Sequence, residues 1–316
     1  MSDSVLQVRG LKKTFRVGGL NGKSLSLFSS KVEALKGIDF DIHAGKVTGF
    51  LGANGAGKTT SIKCILNLAF PDSGEIKYFG SPVLTADVKA RIGFLPERPY
   101  FYEYLTGREF LRFYGELSDR VRGPSLTRKI EGLLDRVGLI HAKDRPLRSY
   151  SKGMLQRIGI AQALVHEPDF VILDEPMTGL DPDGRAEVHE IIRETAATGT
   201  AVFFSSHLLP DAEQLCERLV ILKQGEVAYE GTTSDLLGQV EKGYHIIYGQ
   251  AGREFTVDCS TLSDLQVRID KLRSDGATIT EVKKMRLSLD EAFARVALNG
   301  PHAASGKSRL DGEVPA

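Results

Sequence analysis

Gly52-Ala53-Asn54-Gly55-Ala56-Gly57-Lys58-Thr59-Thr60 decides how the chain is read. It matches the pattern G-x-x-x-x-G-K-[S/T], which background composition yields in on the order of 0.01 chains of this length. A β-rich apolar run, Val47 to Leu51, precedes it, and Ser61 to Leu68 reads as a helix after it. Glycines at this junction let backbone N–H groups turn inward and form an anion cradle at a helix N-terminus. Lys58 is placed to reach β- and γ-phosphates, and the Thr59 hydroxyl to ligate Mg²⁺. Gly52, Asn54, Gly55, Ala56, Gly57, Lys58, Thr59 and Thr60 are therefore the expected nucleotide-binding residues. A plain glycine-rich turn would need neither the strand before nor the helix after.

A second stretch belongs with the first. Phe170-Val171-Ile172-Leu173-Asp174-Glu175 sets four apolar residues before two acids, which puts carboxylates at the C-terminal edge of a buried strand, where α/β proteins bind ligands. Asp174 is expected to hold Mg²⁺, directly or through water, and Glu175 to polarise the water that attacks the γ-phosphorus. Alone, an acidic pair after a strand is usually a solvated strand end; the phosphate loop changes that reading.

Outward from these two stretches the chain divides. Residues 5 to 51 read as strands, with Val32 to Phe40 the clearest besides Val47 to Leu51. Arg16 to Lys31 is a Gly/Ser-rich connection whose Leu20, Leu25, Leu27 and Phe28 suit either a hairpin tip or a docking surface. From Tyr100 to about Val165 the apolar spacing is helical: Phe110, Leu111, Phe113 and Tyr114 form one stretch, Ile130, Leu133, Leu134 and Val137 another. Ala201 to Phe204 reads as a strand beside Phe170 to Leu173. This order predicts a doubly wound α/β core with a helical insertion over about 98–165. Residues 236–298 read as a small α+β domain in the order ββαβα, closing with a helix over Ser288 to Leu298. The polar, Gly- and Pro-containing residues 299–316 read as a disordered tail.

Between the two phosphate motifs lies Tyr150-Ser151-Lys152-Gly153-Met154, followed by LQRIGIAQALV. Taken alone, Ser-x-Gly before a helix is an N-cap. In this place the chain resembles the nucleotide-binding subunit of an ATP-binding cassette (ABC) transporter, whose signature is usually LSGGQ. Ser151 and Gly153 keep the hydroxyl and the glycine; Tyr150, Lys152 and Met154 depart from the pattern. The resemblance runs over roughly residues 5 to 235. It implies a P-loop NTPase fold of the ABC ATPase type, with a β-subdomain and the helical insertion over about 98–165 within a nucleotide-binding domain of residues 1–235. It implies ATP and Mg²⁺ as ligands. It also implies a head-to-tail dimer in which Ser151 and Gly153 close over the γ-phosphate held by a second nucleotide-binding subunit, identical or paralogous. Thr178-Gly179-Leu180-Asp181-Pro182 resembles the family's D-loop, whose Asp contacts that partner. Ser205-Ser206-His207 resembles the switch histidine, which contacts the γ-phosphate. Phe15 sits where the family stacks an aromatic on adenine. Glu97, after Gly93-Phe94-Leu95-Pro96, stands where most of the family has Gln. A carboxylate can accept from the attacking water or bind Mg²⁺ but cannot donate a hydrogen bond. Catalytic roles thus fall by resemblance on Glu175, His207, Lys58 and Glu97, and metal ligation on Thr59, Asp174 and Glu97. YSKGM, LPE and the late SLDEAF (Ser288 to Phe293) resemble the ATPase subunits of bacterial ABC-2-type exporters.

Composition narrows the functions further. The 316 residues carry 41 Lys plus Arg against 41 Asp plus Glu, a balance that argues against a protein built to coat nucleic acid. Three cysteines without a CxxC pair form no zinc site and fit a reducing compartment. No apolar run approaches a membrane span, and Met1 to Lys13 has no apolar h-region. The expected localisation is the cytoplasm, peripheral on the inner face of the cell membrane through a separate transmembrane permease. The alternative is a soluble, non-transport ABC ATPase acting on ribosomes or DNA. Ribosome-associated members resemble two cassettes in one chain, whereas this one has a single phosphate loop; DNA-repair members carry coiled coils or zinc insertions, absent here. A P-loop kinase would leave the signature, D-loop and His207 unexplained.

Overall fold

The computed structural model describes residues 4–17, 30–118, 120–238, 243–250, 253–284, 289 and 291–293. The chain separates into one unit ending at Gly231 and a second over Thr232–Leu298. In the first, β1 (Ser4–Val17), β2 (Ser30–His43) and, after β3 (Val47–Leu51) and α1 (Lys58–Ile65), β4 (Ser73–Tyr78) contribute a three-stranded antiparallel sheet in the order β2-β1-β4. Then follow α2 (Ala86–Lys89), β5 (Ile92–Leu95), α3 (Gly107–Glu116), α4 (Gly123–Arg136), α5 (Lys152–Leu164), β6 (Phe170–Asp174), α6 (Pro182–Ala197), β7 (Ala201–Ser206), α7 (Leu209–Leu215), β8 (Arg218–Lys223) and β9 (Glu226–Thr232). The strands β5-β6-β7-β3-β8-β9 form a six-stranded sheet. Its β5–β6, β6–β7, β7–β3 and β3–β8 pairs are parallel.

Hydrophobic patterning explains both sheets. β3, β6 and β7 are buried along their whole length, as continuous apolar strands of a parallel sheet covered on two faces must be. β2 alternates instead: Ile38, Phe40 and Ile42 are fully buried. Phe40 brings the antiparallel sheet against the parallel one. Its ring lies 5.4 Å from that of Phe50 on β3 and 5.9 Å from that of Phe203 on β7, and the Phe50 and Phe203 rings are 4.9 Å apart. Phe203→Ala would empty the middle of this cluster. We expect it to cost about 3–5 kcal/mol of unfolding free energy, read from the denaturant midpoint. A loss below about 1 kcal/mol would mean that the two sheets do not depend on one another.

The helical insertion is terminated by local chemistry. Thr106 and Glu109 make a capping box at the start of α3, the Thr106 N–H donating to Glu109 Oε2 at 2.8 Å. Ile130, Leu133, Leu134 and Val137 are all buried, as their spacing requires. In the other stretch Phe110 and Leu111 are buried, whereas Phe113 is exposed. The helix read over Ser61 to Leu68 stops sooner, at Ile65: Asn67 takes a φ of 56°, and the N–H groups of Asn67 and Leu68 turn back to the carbonyls of Cys64 and Lys63. Asn tolerates this left-handed position and ends the helix there.

In the second unit, α8 (Thr233–Gly238) precedes β10 (Tyr244–Gln250), β11 (Arg253–Cys259), α9 (Leu262–Ser274) and β12 (Thr278–Lys284). The strands pair antiparallel in the order β11-β10-β12. Ile246, Cys259 and Leu265 form its small core. The connection 18–29, most of the closing helix read over 288–298 and the tail 299–316 lie outside the described residues. All three cysteines, Cys64, Cys216 and Cys259, are buried, and burial pushes each thiol above its ordinary pKa.

Candidate active site

A cavity of about 370 Å³ opens at the C-terminal ends of the parallel strands. Asn54, Gly55, Gly57, Lys58, Thr59 and Thr60 line one wall, Glu97 enters after β5, Glu175 and Thr178 after β6, and His207 after β7. Ala53 of the loop and Val32, Glu33 and Ala34 of β2 complete the lining. Gly57 has a φ of 113°, and a β-carbon there would lie 2.8 Å from the Ala34 carbonyl oxygen, so only glycine lets the loop pass under β2 into α1. Gly57 caps α1 without a side-chain hydrogen bond, which leaves the donors of the first turn to an anion.

The side chains in the cavity form a connected network around Glu175. Lys58 Nζ donates to the Gly52 carbonyl at 2.6 Å and lies 3.5 Å from Glu175 Oε1. His207 Nδ1 is 2.8 Å from Glu175 Oε2, and the Thr178 hydroxyl donates to the same oxygen at 3.2 Å. The Glu175 backbone has a φ of 52°, unusual for a residue with a side chain and costly wherever nothing enforces it. Here its N–H donates to Ser205 Oγ at 2.9 Å. The Ser205 hydroxyl in turn donates to Asp174 Oδ1 at 2.6 Å. Ser205 thus fixes both acids at once, one through its side chain and one through its backbone.

Asp174 lies behind this wall with only 3% of its surface exposed. Burial raises its pKa above the ordinary carboxylate range, and the nearby charges of Glu97 and Glu175 raise it further; the Ser205 hydrogen bond and Lys58 act the other way. A buried acid crowded by two more is a place where a cation relieves both desolvation and repulsion. Among the described residues no group of three or more His, Cys, Asp or Glu could hold a metal by itself. Mg²⁺ takes one or two protein ligands and completes its shell with water and substrate phosphates. Asp174 and the exposed Thr59 hydroxyl are the residues that would hold it.

Several expected residues stand elsewhere. Gly52 and Ala56 are buried beneath the loop, Gly52 through its carbonyl serving Lys58. Glu97 does line the cavity but is exposed there, 3.9 Å from Arg98 Nε. Phe15 does not line the cavity: it is 39% exposed, stands opposite Val32 in the β1–β2 register, and carries Lys13 Nζ at 5.4 Å from its ring. Ser151 is the N-cap of α5, its hydroxyl accepting from the Met154 N–H at 3.3 Å, and nothing comes within 4 Å of a β-carbon built at Gly153. Asp181 caps α6, accepting from the Gly184 N–H at 2.9 Å. Ser151, Gly153, Asp181 and Phe15 are therefore not joined to the Lys58 cavity within this chain. Thr178 and Ser205, conversely, have contacts that the sequence reading gave them no role for, although both stand inside stretches it singled out.

The family profile described as ABC transporter matches residues 35–178, the interval from β2 through Thr178. An uncharacterised ABC transporter ATP-binding protein of Synechocystis is 38% identical over 308 residues, covering 92% of this chain and 84% of that protein. The chain belongs to the ABC transporter ATP-binding family. This ABC ATPase binds and hydrolyses ATP. It is also similar to the daunorubicin/doxorubicin resistance ATP-binding protein DrrA of Streptomyces peucetius, 35% identical over 87% of this chain and 90% of that one. The bacitracin transport ATP-binding protein BcrA of Enterococcus faecalis is 32% identical over 82% and 90%. Among solved structures, an ATP-binding subunit of an ABC transporter superposes with a TM-score of 0.62 at 31% identity, over 74% of this chain and 92% of that one. The ABC ATPase fold is thereby established for the chain.

Proposed function

We propose that this ATPase dimerises head to tail around two Mg-ATP and powers a separate transmembrane permease of the ABC-2 exporter type. Its likeness to DrrA and BcrA, whose names attach them to drug resistance and bacitracin transport, supports the exporter reading. Among the described residues no helix is long and apolar enough to cross a membrane, so a membrane path would come from another chain. The protein then sits in the cytoplasm, peripheral on the inner face of the membrane through that partner.

The observation that carries the chemistry is Glu175 at the cavity wall, with a cation on one oxygen and an imidazole and a hydroxyl on the other. The Glu175 carboxylate accepts the proton of the attacking water, and His207 and Thr178 hold its Oε2 in place. Lys58, with backbone donors of residues 54–60, neutralises charge on the β- and γ-phosphates. Mg²⁺, when bound, draws electron density from the phosphoryl oxygens. Ser151 and Gly153 lie outside their own chain's cavity, which leaves them free to complete the cavity of a second subunit. His207 in one chain and Ser151 with Gly153 in the other then hold the γ-phosphate, and hydrolysis releases both. Phe15, on the strand beside Val32, would stack on the adenine at the cavity rim.

The test is a pull-down of tagged Glu175→Gln protein from gently solubilised membranes, with Mg-ATP and with ADP. Recovery of a polytopic membrane protein in stoichiometric amount is expected. Recovery only from the soluble fraction, with ribosomes or DNA, would overturn the transporter reading and leave the ATPase.

A further inference from the structure

Two titratable groups outside the cavity are buried against each other. His189, midway along α6, and Asp211, in the first turn of α7, have side chains 7% and 6% exposed. His189 Nε2 lies 3.1 Å from Asp211 Oδ1, and the other carboxylate oxygen, Oδ2, is buried with no hydrogen-bond partner. Such a pair costs desolvation that an apolar pair of similar volume avoids, so holding two helices together does not by itself account for it. What a hydrogen bond adds to packing is direction: it fixes how α7 is turned about its own axis.

The two helices are attached to the two sides of the active site. α6 begins just after its N-cap Asp181, on the segment that leaves Glu175. α7 begins two residues after His207. The far end of α7 is also located, because Cys216 is buried over β3, close enough that a β-carbon at Gly49 would lie 2.6 Å from its sulfur. With that end seated on the strand that feeds the phosphate loop, the His189–Asp211 contact sets the end that carries His207.

We propose that the His189–Asp211 pair is a positioning contact for ATP hydrolysis: it orients α7 so that the His207 imidazole meets Glu175. The inference rests on the roles proposed above for those two residues. A misplacement of the imidazole by about 1 Å is enough to cost up to 100-fold in rate, with no change in the residues that touch nucleotide.

The experiment measures kcat, ADP affinity and thermal midpoint for the double variant His189→Leu, Asp211→Leu. The expected result is a folded protein with ADP affinity within about twofold of wild type and kcat lowered about tenfold to 100-fold. Wild-type kcat in that variant overturns the proposal. Two conservative variants guard against a folding defect: the His189→Gln amide can still donate to Asp211, whereas the shorter His189→Asn arm cannot. Turnover near wild type in the first and lowered in the second supports the positioning role, and equal rates in both overturn it. His207→Ala is measured alongside. If it turns over ATP normally, the assignment of His207 has failed; if it is inactive while the double variant is active, only the positioning role has.

Discussion

Glu175→Gln lowers ATP turnover by at least about 100-fold, the range lost when a general base is removed, and leaves Mg-ATP binding intact. The amide keeps the size of the side chain and can still accept from the Thr178 hydroxyl, which lies 3.2 Å from Oε2. It has no lone-pair site basic enough to take a proton from water. In the head-to-tail dimer proposed above, stopped hydrolysis leaves the γ-phosphate bridging the two subunits, so the variant is expected to accumulate as an ATP-bound dimer that ADP does not support. Phosphate release and size-exclusion chromatography with each nucleotide check both halves. Wild-type turnover would remove Glu175 from the role of base; lost turnover without a dimer would leave the base in place and remove the closure step.

Asp174→Asn gives the second large effect, and its sign differs between activity and stability. Burial and the neighbouring acids raise the pKa of Asp174 in the folded chain. Protonated Asp174 therefore suits the fold: its stability contribution is fully present below the unfolded pKa and is lost as the pH rises through the raised folded value. Once Asp174 ionises, the Ser205 hydrogen bond and Lys58 compensate its buried charge only in part. Asparagine removes that charge and keeps an oxygen for the Ser205 hydroxyl, so the nucleotide-free variant melts higher than wild type at pH 7. The gap closes toward pH 4. Activity moves the other way, because the neutral amide is a poor Mg²⁺ ligand, and turnover falls by more than about 100-fold. Melting curves with and without Mg-ATP at the two pH values test this, with Mg-ATP stabilising wild type far more than the variant. A variant less stable than wild type at pH 7 would show that the charge is already compensated within the chain.

The parts of this protein that were legible in sequence are those whose chemistry is local. The phosphate loop carries its cradle within nine consecutive residues, and Phe170 to Glu175 announces a buried strand and its acids in six. The helix after the loop was read too long because Leu66 and Leu68 continue the apolar spacing, while the turn at Asn67 depends on a backbone state that periodicity does not register. β5 went unread as a strand: Ile92 to Leu95 is only four residues long, and its alignment with Phe170 to Leu173 is a long-range pairing. The network at Glu175 was legible only in part. Glu175 and His207 were singled out, but the oxygen each neighbour takes, and the way Ser205 ties Asp174 to the Glu175 backbone, arise where the ends of β6 and β7 meet. His189 and Asp211 gave no signal at all, since a His and an Asp on separate amphipathic helices acquire meaning only when those helices cross.

The three buried thiols make the natural chain nearly inert toward water-soluble maleimides, since each combines enclosure with a raised pKa. A cysteine introduced at the exposed Ser151 would therefore react fastest, without first removing any native one. The rate at which it is alkylated would report the average fraction of time that the segment around residue 151 stands uncovered, with every native cysteine left in place.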